Sequence, residues 1–529
     1  MSRLLSVLIA SLLLSLTAIA AADDAVTLPG GQRLLLEKRN IRLLNQQGTE
    51  LASLPVRAKH IDVRSQDKGT LAAVFDADNQ VPLLLRVIGD GMAVARSLPA
   101  VSFPLESLCL YRDAQQLDHL FLIAKDGQAE QWLLGADAKA TPRLLRKLAL
   151  PPEVESCRAD DGKQLLYVHE AAYGVWAYAA DGEGVPQRRF VGKKMPRIAV
   201  AQVATLPIVM PTAQTASVAR SGDAADDPAI WVHPDDAKQS RVFATNKKQG
   251  LLSYDLQGVQ KQLIEAGRLN NVDVRQNLNL GGTKADLAVA TQRDENALAV
   301  FEIDAQGQAR DAARIATGLS EIYGTCLYRT PQGGLEVFAN DKDGRFEHYR
   351  IVRTEKGSTY HYSGELLRGF RVDSQPEGCV VDDRNGRLFI GEEKRGIWTL
   401  PAAADGGSKL KLVLATGKLL VADVEGLALY HGKSASYLIA SSQGNSSYVV
   451  LDALPPHKAR GAFRIGINAD AGIDGVSDTD GLEASAINFG GPYSEGMLVV
   501  QDGYKRLPDG AQNFKYVPWS DIARALKLD

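Results

Sequence analysis

Four cysteines in 529 residues are few, and methionine and tryptophan (five each) and histidine (eight) are scarce as well. The chain has no Gly-x-Ser-x-Gly element and no cysteine with a catalytic-histidine signature, so no nucleophile for covalent catalysis is evident. Charge of one sign is also missing. Sixty Lys and Arg face 63 Asp and Glu for a net charge of −3, which leaves no global basic field of the kind nucleic-acid binding requires. Any anion must therefore be held locally. Beyond residue 22 no apolar run reaches the roughly 18 residues needed to span a bilayer, and apart from Trp519 to Leu528 few segments show a helical period.

What is present begins with an export signal. Arg3 supplies a charged start, Leu4 to Leu16 an apolar run, and Ala18, Ala20 and Ala22 the small residues before a cut. An uncleaved anchor is the alternative, but the run is short and ends in small residues, so residues 1–22 read as a cleaved signal peptide and the mature chain as periplasmic or extracellular, free of the membrane. A hydrophobic content of 45% with 48 glycines and 22 prolines describes a folded chain rich in turns. Its length exceeds one ordinary core, so two domains are expected.

Short β-rich runs closed by Gly, Asp and Asn predict an all-β chain. In the second half Tyr254, Phe301, Tyr349, Trp398 and Val450 close similar strands at successive spacings of 47, 48, 49 and 52 residues. A period near 50 with several strands per unit predicts propeller blades, and residues 206–529 have room for six; a β-sandwich would not explain the period. The first half repeats part of this. Glu106-Ser-Leu-Cys-Leu-Tyr-Arg resembles Tyr323-Gly-Thr-Cys-Leu-Tyr-Arg at an offset of 217, and Glu155-Ser-Cys with Gly174-Val-Trp resembles Glu377-Gly-Cys with Gly396-Ile-Trp at an offset of 222. The expected layout is a signal (1–22), a shortened, divergent propeller-like domain (23–205) and a six-bladed β-propeller (206–529). The boundary falls near 200–210, where Pro207, Pro211, Thr212, Ala213 and Gln214 read as a linker.

Cys109 and Cys157 lie about one blade apart, as do Cys326 and Cys379. Inner strands of neighbouring blades could join each pair, and export permits oxidation. The commoner reading is four buried small hydrophobes, because strand spacing at the channel could exceed a disulfide's reach.

Residues 223–255 concentrate the chemistry. Asp226 and Asp227 precede Pro228 and a short strand, and a second strand delivers Lys247 and Lys248. Alone, such acids shape a turn and such lysines are solvated. Further acids recur near blade starts: Glu377, Glu392, Glu393, Asp423, Glu425, Asp474, Asp478 and Asp480. Carboxylates gathered at one channel mouth raise one another's pKa values unless cations join them. Oxygen ligands without Cys or His select Ca²⁺ or Mg²⁺, with calcium the better match to an exported protein. Lys247, Lys248, Arg293 and Lys342 fall in successive blades and could line a rim opposite the acids, gripping phosphate.

Asp226-Asp-Pro-Ala-Ile-Trp, Asn246-Lys-Lys-x-Gly-Leu, Leu269-Asn-Asn-Val-Asp-Val-Arg, Asp423-Val-Glu-Gly-Leu, Ser477-Asp-Thr-Asp-Gly and Asn513-Phe-Lys-x-Val-Pro-Trp closely resemble the β-propeller (alkaline) phytases, from about residue 215 to 525. The whole chain resembles the two-domain subgroup, in which an incomplete repeat precedes the catalytic propeller. The resemblance implies a calcium-dependent hydrolase of the 3-phytase type. It would act as a monomer on phytate (myo-inositol hexakisphosphate), presented as a calcium complex, with several Ca²⁺ ions activating water. It implies calcium binding by Asp227, Glu377, Glu393, Asp423, Glu425, Gln443, Asp474 and Asp480, and phosphate binding by Lys247, Lys248, Arg293 and Lys342. Tyr323 would lie by the reacting phosphate, with Glu393, Asp423 and Arg293 in catalytic roles. Arg345 stands where relatives carry an acid. The N-terminal copy keeps Glu155 and Lys125 opposite Glu377 and Lys342 but places Asp76, Glu106 and Ala171 opposite Arg293, Tyr323 and Glu393. It is expected to prop the propeller or bind substrate weakly. A broader exported phosphatase, a calcium-stabilised binding propeller and a propeller lactonase are the other functional classes; a lactonase would not need the row of Lys and Arg.

Overall fold

The computed structural model describes residues 25–135, 141–198, 205–357 and 359–529. The signal expected at residues 1–22 and part of the expected boundary lie outside them. Among the described residues there are ten sheets, nearly all of four strands, and one α-helix, Trp519–Leu526. Within each sheet the consecutive strands pair antiparallel as a meander, and two sheets carry one earlier strand added at an edge.

Six sheets form the propeller. Their innermost strands are Ala225–Trp231, Leu269–Leu280, Ile322–Arg329, Pro376–Asp382, Val424–His431 and Leu482–Ser485; each lies beside the next, and the last returns to the first. The periodic positions Tyr254, Phe301, Tyr349, Trp398 and Val450 all fall on third strands, so the period is that of the blades. Each strand alternates its side chains between two faces, and each blade face packs on a neighbour. Val289 and Val300 of the second blade thus meet Leu327 and Val337 of the third in one buried cluster. Each such burial contributes about 1.5–3 kcal/mol.

The stretch read as a linker is largely strand. Ile208–Val209 pairs parallel with Ala459–Ile465 on the fifth blade, and Ala213–Gln214 pairs antiparallel with Asn513–Pro518, completing the sixth. Pro207 and Pro211 flank these pairs rather than occupying them, so no ladder hydrogen bond is lost to a missing N–H.

The N-terminal sheets (25–54, 58–97, 105–149, 154–192) stack in the same way, and one device occurs in both halves. Asp273 accepts from Leu327 N at 2.9 Å and pairs with Arg275 at 2.7 Å, while Arg275 reaches Asp383 at 2.8 Å. In the first half Asp62 accepts from Leu110 N at 2.8 Å, and Arg64 pairs with Asp62 at 3.3 Å and Asp161 at 2.9 Å. Each set ties three successive innermost strands together. The loop before the fourth sheet's last strand docks on the propeller, where Asp181 pairs with Arg464 at 2.7 Å, and Leu133 and Leu145 of the third sheet pack against Ile467 and Leu507.

The cysteines are oxidised, Cys109 to Cys157 and Cys326 to Cys379, which corrects the preference for four buried thiols. Innermost strands converge on the axis, and their Cα atoms stand 6.1 and 5.6 Å apart at these pairs, inside a disulfide's reach.

Candidate metal and phosphate site

The site arises from one local irregularity repeated around the ring. In the first five blades the innermost strand slips register after its first residue, between Ala225 and Pro228, Leu269 and Val272, Ile322 and Thr325, Pro376 and Cys379, and Val424 and Leu427. The residues left out of the ladder are Asp226-Asp227, Asn270-Asn271, Tyr323-Gly324, Glu377-Gly378 and Glu425-Gly426; in the sixth blade Asp480-Gly481 occupies the same place ahead of Leu482. A bulge re-aims a side chain out of the pleat, and five bulges around one axis, with Asp480-Gly481 in the sixth place, bring six such positions round one channel mouth. The glycines follow from this crowding. A Cβ on Gly324 would stand 1.9 Å from the Glu377 carbonyl oxygen, and one on Gly378 2.3 Å from that of Glu425. Backbone bonds link the bulges, with Gly426 N donating to Asp480 O at 3.2 Å and Gly481 N to Asp226 O at 3.1 Å.

A second ring comes from the turns that follow each blade's second strand. Those turns begin with Lys247, Arg293, Lys342, Glu393, Gln443 and Gly503. Nearly every residue singled out from sequence belongs to one of these two rings.

Glu377, Glu393 and Glu425 each offer an oxygen within 4.8 Å of the others, and all three are buried. Asn270 Nδ2 donates to Glu377 at 3.0 Å and Gln375 Nε2 donates to Glu393. Glu425 Oε2 is buried without a hydrogen-bond partner. Burial, and then the Glu377 charge, hold the Glu425 carboxyl well above the carboxylate range and push that of Glu393 up to about 7. These oxygens fit a hard cation, which would restore their ionised forms. Asp423 and Gln443 line the same 1170 Å³ cavity, and Gln443 donates to Asp480 at 2.7 Å.

The expected basic rim opposite the acids is only partly formed. Lys247 lies among the acids, 2.8 Å from Asp223, 2.9 Å from Asp226 and 3.0 Å from Asp480. Burial works against its charge, but Asp226, Asp480 and Glu377 together outweigh that and raise its pKa. Lys248 is exposed and does not line the cavity, but it donates at 2.6 Å to the carbonyl of Ser221, which does. Arg293 and Lys342 do converge: the guanidinium carbon lies 5.5 Å and Nζ 4.4 Å from the centre of the Tyr323 ring, whose edge enters the cavity. Burial and nearby acids keep the Tyr323 phenol protonated.

Two expected ligands lie elsewhere. Asp227 turns down the channel, accepting from Val272 N at 3.1 Å beside Asp273 and Glu483, while its neighbour Asp226 faces Lys247 and Glu377. The bulge that holds both residues aims the two adjacent carboxylates in different directions. Asp474 is fully buried and pairs with Lys515 at 2.7 Å; a lysine 41 residues on takes the place a cation would have. Arg345 pairs with Asp341 and Asp343, both at 2.9 Å. Sequence reasoning passed over Asp226 as a partner of Lys247, and Asn270 and Gln375 as donors to the acids. Asn270 shares the blade-start position with the acids, and that recurrence was the available signal.

Fold and site together define a six-bladed β-propeller with a candidate metal centre and adjacent basic side chains at one end of its channel. The model of the Phytase family matches residues 191–529. The chain is 42% identical over 326 residues to a 3-phytase of Bacillus subtilis (strain 168), covering 59% of this chain and 84% of that protein. The chain belongs to the phytase family. A solved structure of a functionally unknown protein from Desulfotomaculum acetoxidans is similar at TM-score 0.30 and 12% identity over 76% of this chain and 94% of that one, a likeness that carries no argument.

Proposed function

We propose that the protein is a calcium-dependent phytase that releases phosphate from myo-inositol hexakisphosphate. The observation that carries this is the juxtaposition of the Glu377, Glu393 and Glu425 oxygens with Arg293, Lys342 and Tyr323. Family membership, together with a relative named 3-phytase, supplies the substrate. Glu377, Glu393 and Glu425, joined by Asp423, Asp480 and Gln443, would hold calcium. Bound calcium neutralises phosphate charge and favours ionisation of water. Asp227, which accepts from Val272 N, and Asp474, which pairs with Lys515, are not counted among these ligands.

The residues around the cation set do the positioning. Arg293 presents a planar fork and Lys342 a point charge to the non-bridging oxygens, where charge accumulates as the ester bond opens. Tyr323 spaces the two cations and, remaining protonated, donates to a phosphate oxygen. Asn270 and Gln375 fix the Glu377 and Glu393 rotamers. Lys247 balances Asp226 and Asp480 and keeps that side of the cavity from collecting excess negative charge. Water adds to phosphorus, the P–O ester bond breaks, and the inositol oxygen departs as a hydroxyl. Two disulfides fit an exported protein, and no helix among the described residues is long and apolar enough to cross a membrane.

The test is phosphate release from phytate by the full chain with calcium and with a chelator. Release with calcium that stops on chelation and returns on re-addition is expected. No release by folded protein in calcium would overturn the assignment.

A further inference from the structure

The cavity has two walls of opposite character. One is the acid cluster of the blade ends. The other is built jointly by the N-terminal strand Arg143–Ala149, which supplies Arg146 and Lys147, and by the propeller loop that carries Lys505 and Arg506. A cavity of 1170 Å³ is far larger than a single phosphate needs.

The basic wall is short of partners. Lys505 is only 7% exposed, yet among the described residues its Nζ forms no ion pair and donates only to Pro508 O, at 2.5 Å. Arg506 Nε is buried without a hydrogen-bond partner. Lys147 is exposed and has no hydrogen bond or ion pair among the described residues. Arg146 spends Nε on Gln131 at 2.7 Å and Nη2 on Ala179 O at 2.7 Å, and its charge faces that of Arg506. Burial, with that neighbouring guanidinium, pushes Arg146 down to about 10. Asp509 also lines the cavity and its charge acts on Lys505, and the other nearby acids have partners besides this wall. Asp181 is held by Arg464 at 2.7 Å, Glu183 accepts from Ser477 Oγ at 2.9 Å and approaches Arg506 no closer than 3.7 Å, and Asp502 and Asp474 share Lys515. Like charges gathered in a low-dielectric wall are unfavourable alone and favourable around an anion.

The geometry points to a second phosphate subsite straddling the two halves of the chain, in which Arg146, Lys147, Lys505 and Arg506 hold a ring phosphate other than the one beside Glu393. This rests on the phytase reading and deepens it. The N-terminal domain then contributes to recognition of polyphosphorylated substrates, although its own copy of the site has lost the counterparts of Arg293, Tyr323 and Glu393. A substrate with one phosphate would not feel this wall.

The test uses the full chain with Lys147→Glu, an exposed position where folding is not at stake, and Arg146→Gln as a second variant checked by its melting temperature. For Lys147→Glu we expect KM for phytate to rise about tenfold with kcat little changed, and kcat/KM for p-nitrophenyl phosphate to stay within about twofold. Calorimetric binding of myo-inositol hexasulfate, a non-hydrolysable hexa-anion, should weaken about tenfold, while inhibition by inorganic phosphate stays the same. Unchanged hexasulfate binding and phytate KM in a folded Lys147→Glu protein would overturn the subsite. So would a loss seen equally with p-nitrophenyl phosphate, or a loss confined to inorganic phosphate. If the parent protein released no phosphate from phytate, the functional reading would fail, and the hexasulfate arm would still decide the subsite.

Discussion

Lys515→Met separates the two roles open to Asp474. Lys515 Nζ is fully buried and contacts Asp474 at 2.7 Å, Asp502 and Gln214 at 2.9 Å, and Asn513 at 3.1 Å. Methionine keeps the apolar stem but removes the charge, leaving two buried carboxylates facing each other. Breaking a buried pair by removing one partner costs about 3–5 kcal/mol, and two acids sharing one cation place this case at the upper part of that range. At about 2 °C per kcal/mol for a domain of this size, the melting temperature should fall by about 6–10 °C in a calorimetric scan with chelator present. The loss has a pH signature. Burial already raises Asp502 against the pull of Lys515. A carboxyl whose pKa is raised on folding stabilises the fold while protonated and loses that contribution as pH climbs through its folded value. Removing Lys515 raises Asp502 further, so the deficit should widen as pH rises above the ordinary aspartate range. A variant melting within about 1 °C of the parent in chelator would refute the structural role of the pair. Full rescue by calcium would return Asp474 to the ligand set.

Two further predictions concern the site and its frame. Arg293→Ala should lower kcat/KM for phytate by about 100-fold or more with an unchanged melting temperature, because the guanidinium rests on Tyr323 and makes one long bond to Asn270; steady-state phosphate release checks it. Cys326→Ser with Cys379→Ser opens a loop of 53 residues, for which chain entropy predicts about 4 kcal/mol of lost stability. The double variant should melt lower and respond no further to reductant, and a parent-like melting curve would argue against the bond.

The propeller was legible in the sequence because its turns and strands are local, and because third-strand positions such as Phe301 and Tyr349 mark the period on their own. The site was legible as far as composition at blade starts could carry it, which is why Glu377, Glu393, Glu425 and Tyr323 converge as expected. Which of Asp226 and Asp227 faces the acids depends on the bulge, which sets the direction of a side chain without altering the residues around it. The acidic segment at 474–480 resembles a calcium loop in composition, but its nearest charge comes from Lys515, on a strand that reaches it only in the folded ring. Lys247 was grouped with the other cations because its blade position matches theirs. Its surroundings differ because blades one and six bring Asp226 and Asp480 against it. Arg146 and Lys147 gave no signal, since their place depends on how the first half docks.

Seven residues that come before the first blade finish the last two. Ile208–Val209 and Ala213–Gln214 wait at the edges of sheets whose own strands end with Ala459–Ile465 and Asn513–Pro518 respectively. During synthesis the four N-terminal sheets and most blades can stack as they emerge, but the circle stays open until the chain is almost complete. Until then it has no assembled mouth, because Asp480 and Asp226 meet across the seam that closes last. Losing even the final strand would therefore do more than trim an edge. It would free Ala213–Gln214 and open the ring at its seam, leaving the two halves joined only through the fifth blade and the loops docked beside it.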